Sequence, residues 1–171
     1  DWVALKCRVI QLLFSIEVPP TRSSRTELLA TEQLSVKQHD LVIRYIYESE
    51  DTVFLVEALP YCVDSIRRIM REHKCRIITG REERHHRVVE CILERLGLGL
   101  PVTYTGFAPK GPFCNDVHMH VDDDYRQLKT VIGHVPYPIL YTHPYNAHET
   151  ITPPCVRASN WNEITKLALS L

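Results

Sequence analysis

The stretch VHMHVDDDYRQL, residues 117–128, runs an apolar alternation into the consecutive aspartates Asp122, Asp123 and Asp124. Neighbouring carboxylates repel one another unless a cation or hydrogen-bond donors absorb the charge, so this turn demands partners. Two other apolar runs end near groups that suit it. CRIIT, residues 75–79, ends on the hydroxyl of Thr79, and LPVTYTG, residues 100–106, leads to Lys110 in the loop FAPKGPFC. A hydroxyl, an ammonium and carboxylates at one rim are what a phosphoryl site with a hard divalent cation requires: donors for the phosphate oxygens and anionic oxygens for magnesium.

The elements that would position these groups alternate short apolar runs with amphipathic segments. CRVIQLLFSI (7–16), CRIIT, LPVTYTG, VHMHV (117–121) and PILYT (138–142) predict strands. VDSIRRIMREH (63–73), EERHHRVVECILERLG (82–97), the short DYRQLK (124–129) and NWNEITKLAL (160–169) predict helices. In the second of these, Val88, Val89, Ile92, Leu93 and Leu96 fall on one stripe and Gly97 supplies the stop. PPTRSSRTE (19–27) and THPYNAHETITPP (142–154) predict surface loops. A βαβα order of this kind predicts an α/β fold, a Rossmann-like three-layer sandwich with a parallel central sheet, whose chemistry gathers at the carboxyl ends of the strands. With 171 residues, 44% hydrophobic and 24% charged, one domain over 1–171 is expected, and a net charge of −1 gives no global attraction to nucleic acid or an acidic membrane.

EALPYCVDSIRRIMREHKCRIITGREE (57–83), HVDDD (120–124), PILYTHPYNAHE (138–149) and VRASNWNEI (156–164) follow one another in an order that resembles the haloacid dehalogenase-like (HAD) phosphatases, and within them the 5'(3')-deoxyribonucleotidase family. The resemblance covers roughly residues 42–168. It implies a HAD-like fold in which Thr79 and Lys110 hold phosphate, Asp122 and Asp123 belong to the magnesium site, and residues 21–52 form a reduced cap insertion. It also implies a first strand ending in D-x-D, a nucleophile followed by a general acid and base. Placing VIQLLFSIEVPPT (9–21) on that pattern puts Ser15 at the nucleophile and Glu17 at the acid and base. A serine without a neighbouring base is a poor nucleophile and removes an anionic magnesium ligand, so hydrolysis by the family route is expected to fail, with no cofactor or only weakly bound Mg2+.

The expectation is a catalytically inactive HAD/5'-nucleotidase-like protein that serves as a structural or interaction subunit of a larger assembly, ribosomal or respiratory. The alternative is a magnesium-dependent phosphatase acting on nucleoside monophosphates or related phosphate esters. Asp124 suits the N-cap of the helix that begins at Tyr125 better than a metal. Asp122 and Asp123 are either a residual cation site or a hydrogen-bonded remnant of one. A rival zinc reading takes His118, His120 and Asp122 as an H-x-H-x-D ligand set on one strand face, but Asp123 stands where a further histidine is wanted. Arg67, Arg68, Arg71, Lys74, Arg76, Arg81, Arg84 and Arg87 make residues 64–87 locally basic, either solvated helix faces or a contact surface for other protein subunits or RNA. Cys7, Cys62, Cys75, Cys91, Cys114 and Cys155 form no C-x-x-C pair and are expected to be reduced, mostly buried thiols. No apolar run approaches the roughly 20 residues that span a bilayer, so membrane insertion is not expected. The start at Asp1 rather than methionine fits a processed organellar protein, mitochondrial sooner than cytoplasmic.

Overall fold

The computed structural model describes residues 2–22 and 25–171; Ser23 and Ser24, inside the predicted loop 19–27, lie outside the described residues. The chain packs as two compact units, one of residues 1–59 and 85–97, the other of residues 60–84 and 98–171.

The first unit is helical. It contains α1 (Trp2–Phe14), α2 (Arg25–Ala30), α3 (Val36–Glu48), α4 (Thr52–Leu55) and, from the later segment, the helix His86–Leu96. The run 7–16 is thus not a strand. Leu5, Val9 and Ile10 go fully into a core with Leu28, Val42 and Ile46 while Gln11 and Leu12 face outward, which is the spacing of a helical stripe. The last turn of α1 closes with Ser15 N donating to Gln11 O at 2.9 Å, and Ser15 itself takes the left-handed conformation at φ 57°. α3 begins at a capping box: Ser35 Oγ accepts from Gln38 N at 3.3 Å, and Gln38 Oε1 accepts from Ser35 N at 2.9 Å. Residues 21–52, expected as a reduced cap, therefore supply the 3-10 turn at Pro20–Arg22 together with α2, α3 and the start of α4. The predicted loop 19–27 is helical at both described ends.

The second unit carries the strands. In chain order it holds α5 (Cys62–Ile69), β1 (Ile77–Thr79), β2 (Val102–Tyr104), β3 (Met119–Asp122), α7 (Tyr125–Val131), β4 (Tyr137–Tyr141), β5 (Val156–Ala158) and α8 (Trp161–Ala168); the helix His86–Leu96 of the first unit is α6. All pairings are parallel, as the βαβα order predicts, but the strands make two sheets, β1-β2 and β3-β4-β5. The fold is α/β. On one face of the larger sheet, Leu140 of β4 packs with Tyr125 and Leu128 of α7. On the other, Ile139 and Ala158 pack with Ile69 of α5 and with Ile164 and Ala168 of α8. β5 was not anticipated; its three residues are too few to show alternation, and it exists because Val156, Arg157 and Ala158 pair with β4.

Some predicted helix ends hold, although α5 stops at Ile69, short of the predicted His73, and the α-helix expected from Glu82 begins at His86. Gly97 closes α6 at φ 63°, and Val88, Val89 and Ile92 are buried along its predicted stripe. Asn160 caps α8, accepting from Glu163 N at 3.0 Å. Cys114 and Cys155 are buried and the other four cysteines are half-buried, all as free thiols. Among the described residues no helix is long and apolar enough to cross a membrane.

Candidate functional site

β3 ends inside the acidic triplet, and each aspartate meets a different environment. Asp122 is the last residue of the strand, and its side chain is almost entirely buried. Its Oδ2 accepts from Lys110 Nζ at 2.6 Å and lies 3.3 Å from His120 Nε2, while its Oδ1 accepts from Asp124 N at 3.1 Å. Burial alone would raise its pKa. The hydrogen bond from His120, the charge and hydrogen bond of Lys110 and the Asp124 N–H outweigh burial and hold it at about 2. Lys110 is therefore closed onto this carboxylate.

Lys110 is set by its loop. Thr130 Oγ1, on α7, accepts from Lys110 N at 3.1 Å and from Gly111 N at 3.3 Å. A Cβ on Gly111 would stand 2.0 Å from Thr130 O, so only glycine lets the loop approach α7 this closely. Cys114 Sγ lies 3.9 Å from His120 Nδ1, so sulfur, imidazole and carboxylate stand in a row. That order resembles a nucleophile chain, yet Cys114 is fully buried and burial pushes its thiol pKa up, away from the reactive thiolate.

Asp123 is held differently. Tyr145 Oη donates to its carboxylate, and Asn146 Nδ2 donates to its carbonyl oxygen at 2.8 Å. Burial first, and then the nearby charge of Asp123, raise the Tyr145 phenol pKa well above its ordinary value, so the group stays a donor. Asn146, 1% exposed, also donates to Tyr141 O at 2.9 Å and accepts from His143 N at 2.9 Å, tying the loop after β4 to the acidic turn. Neither Tyr145 nor Asn146 was singled out from the sequence; the signal available was one asparagine beside a tyrosine in a loop. Asp124 caps α7 as predicted, with Oδ1 accepting from Arg126 N at 2.9 Å and the Arg126 guanidinium closing on the same carboxylate at 3.2 and 3.0 Å.

Thr79, Lys110, Asp122 and Asp123 thus all belong to the α/β unit, with Thr79 and Asp122 at the carboxyl ends of parallel strands. The Thr79 hydroxyl accepts from Arg81 N at 3.4 Å, and its carbonyl accepts from Thr105 N at 2.9 Å. Ser15 and Glu17 belong to the other unit. They are exposed residues of the segment that follows α1 in the helical unit, so the strand expected to carry them does not exist and their placement as nucleophile and acid–base is corrected. Replacing both with aspartate would place carboxylates on a loop after a helix.

Magnesium wants several unshared oxygens in octahedral array. Asp122 has committed both oxygens to Lys110, His120 and the Asp124 N–H, and one oxygen of Asp123 takes the tyrosine, so the side chains as arranged do not fit that shell. The zinc set does not assemble either: His118 is exposed and precedes β3, His120 is turned onto Asp122 and Cys114, and among the described residues no group of three His, Cys, Asp or Glu side chains could hold a metal ion.

The predicted basic contact set is divided. Arg67, Arg68 and Arg71 lie on or just after α5 and Arg84 lies in the same unit, whereas Arg87 belongs to the helical unit. Several are neutralised locally: Arg67 by Asp64 at 3.8 Å, Arg84 by Glu82 at 2.5 Å and Arg87 by Glu50 at 2.6 Å. Arg68 instead lines an open groove of about 380 Å³ between α5 and α8, whose other charged lining residues are Asp64 and Lys166. No family model, curated protein or solved structure matches the chain.

Proposed function

We propose that this chain is a HAD-like protein that does not itself hydrolyse phosphate esters and acts as a structural or interaction subunit of a larger assembly. The two parallel sheets are read as parts of a Rossmann-like three-layer sandwich, and Thr79, Lys110, Asp122 and Asp123 as an inherited phosphoryl rim. The observation that carries the reading is the Lys110–Asp122 pair, which spends the rim's cation and its most buried carboxylate on each other. A buried, mutually satisfied ion pair holds a turn in place, and separating it to admit a phosphate leaves a charge uncompensated. Ser15 and Glu17 follow a helix, so neither offers a nucleophile from a strand end. Arg68, beside Lys166 in the groove between α5 and α8, is the part of the basic set best placed to meet an acidic surface of a partner subunit or an RNA backbone. A mitochondrial ribosomal or respiratory assembly is the kind of particle meant.

The second reading, a magnesium-dependent phosphatase of nucleoside monophosphates, is favoured by one arrangement: Thr79 and Asp122 both close parallel strands, and Lys110 reaches the second of them. The purified full chain, incubated with a panel of nucleoside monophosphates and Mg2+, separates the two. No phosphate release above buffer, with recovery of the native chain in a particle of defined mass, supports the subunit reading; turnover that Asp123→Asn abolishes establishes the phosphatase.

A further inference from the structure

α5 and α8 lie side by side on one face of the larger sheet and run in the same direction. Near their starts Ser65 Oγ donates to Trp161 O at 3.3 Å, and toward their ends Ile69 packs with Ile164 and Ala168. The side chains at the seam are short. Ser65 and Thr165 are both buried, and both hydroxyls turn onto Trp161 O, so nothing long fills the space above them and the groove of about 380 Å³ stays open.

Helical spacing sets what stands along the walls. Tyr61, Ser65 and Arg68 share one face at α5, and Asn162, Thr165 and Lys166 share one face of α8. Arg68 and Lys166 both belong to the last turns of their helices, so the parallel course brings the two cations to one end of the groove. Tyr61 stands at the other end, roughly 10 Å away at a rise of about 1.5 Å per residue. It is 65% exposed and takes the left-handed conformation at φ 62°, a strained state for a bulky side chain, without giving α5 a capping bond. Among the described residues Arg68, Arg71, Lys74 and Lys166 have no carboxylate partner, whereas Asp64 faces Arg67 and Glu163 is taken by Ser159 N and Asn160 Nδ2. A cation in a last turn offsets the helix dipole, but Arg71 and Lys74 carry the charge past the end of α5 with Glu72 alone against them in that stretch.

We infer that the groove between α5 and α8 binds single-stranded RNA, with one unpaired base stacked on Tyr61 and the phosphates running over Arg68 and Lys166 toward Arg71 and Lys74. An exposed aromatic face and a basic track in one groove are the two parts that such a site combines. An acidic peptide would use the cations and leave Tyr61 idle. A free nucleotide calls for an enclosing pocket, whereas an open groove suits a polymer that passes through it. The inference rests on the proposed interaction role and names the partner of its basic groove.

The probe is a fluorescein-labelled oligoadenylate of about twelve nucleotides, titrated with the purified full chain and read by anisotropy at several salt concentrations. Saturable binding is expected, with log K falling against log salt at a slope of about −2 for roughly three phosphate contacts. Combining Arg68→Ala with Lys166→Ala should bring the slope to about −0.7, and Tyr61→Ala should weaken binding about tenfold at unchanged slope, while Tyr61→Phe keeps it. All three positions are exposed, so the variants keep the fold, which circular dichroism checks. RNA binding that none of these variants changes places the RNA elsewhere and overturns the site. Equal binding of a duplex of the same length overturns it, as does absence of saturation below about 100 μM at low salt. A polyglutamate peptide that binds as tightly as the RNA, and that Tyr61→Ala leaves unaffected, also overturns it and points to an acidic protein partner. Any of these failures with the chain still recovered in a particle of defined mass leaves the subunit reading standing, whereas phosphate release from nucleoside monophosphates overturns that reading and leaves the groove's RNA binding to be judged by the titration.

Discussion

Asp122 and Asp123 are adjacent in sequence and opposite in circumstance. Asp122 is buried against a lysine, so its charge is cancelled in place and the pair is neutral as a unit. Asp123 receives the Tyr145 phenol on its carboxylate, a neutral donor that stabilises the charge without cancelling it, while the Asn146 amide holds its backbone carbonyl. An acidic run need not be one site. The strand end uses its carboxylate to fix the Lys110 loop, the next residue uses its own to fix the loop after β4, and Asp124 stops the turn by capping α7.

Removing the cation should have the largest effect. Lys110→Met leaves Asp122 buried with no counter-charge, and unfolding by urea should show a loss of about 3–5 kcal/mol, because the penalty is that of an unpaired buried charge. Asn146→Ala comes next. It strips donors from Asp123 O and Tyr141 O and an acceptor from His143 N at a nearly inaccessible position, and a loss of about 2–3 kcal/mol is expected in the same measurement. Chymotryptic cleavage after Tyr145 should quicken in this variant and not in Lys110→Met, which would separate the two anchors.

Acid sharpens the contrast further. The Asp122 carboxyl is held at about 2, below its ordinary value, so the folded state binds its proton less readily than the unfolded chain. Its stabilisation is complete above about pH 4 and fades as pH falls toward 2, a loss of about 2 kcal/mol that urea midpoints across this window should reveal and that Asp122→Asn should remove. The smallest effect belongs to the cap. Asp124→Ala should cost about 1 kcal/mol and Asp124→Asn only a few tenths, since either oxygen can accept from Arg126 N. A cost for the asparagine variant as large as for alanine would show that the charge of Asp124, through Arg126, matters more than its capping bond.

What the sequence disclosed depended on how one-sided each segment is. α6 carries a clean stripe with a glycine stop, and Asp124 precedes a short amphipathic turn, so both were readable. CRVIQLLFSI is apolar on adjacent positions and satisfies strand and helix periods alike; what decided it was the burial of Leu5, upstream of the run, on the same stripe as Val9 and Ile10. Ser15 then fell at a helix end rather than a strand end, and the catalytic placement went with it. Thr79, Lys110, Asp122 and Asp123 were named from their order along the chain, whereas Tyr145 and Asn146, which hold Asp123, come from a loop whose position only tertiary packing sets. The division of the strands into two sheets has no local signature.

Lys110 and Asp122 are closed on each other at the end of β3. Magnesium titration of the full chain, followed by the carboxyl carbon resonances of Asp122 and Asp123, tests it most directly. The Asp122 resonance is expected to stay fixed at millimolar magnesium while that of Asp123 moves weakly and without saturation. A saturable shift of Asp122, accompanied by release of the Lys110 ammonium to solvent, would contradict it and mark the rim as a working metal site.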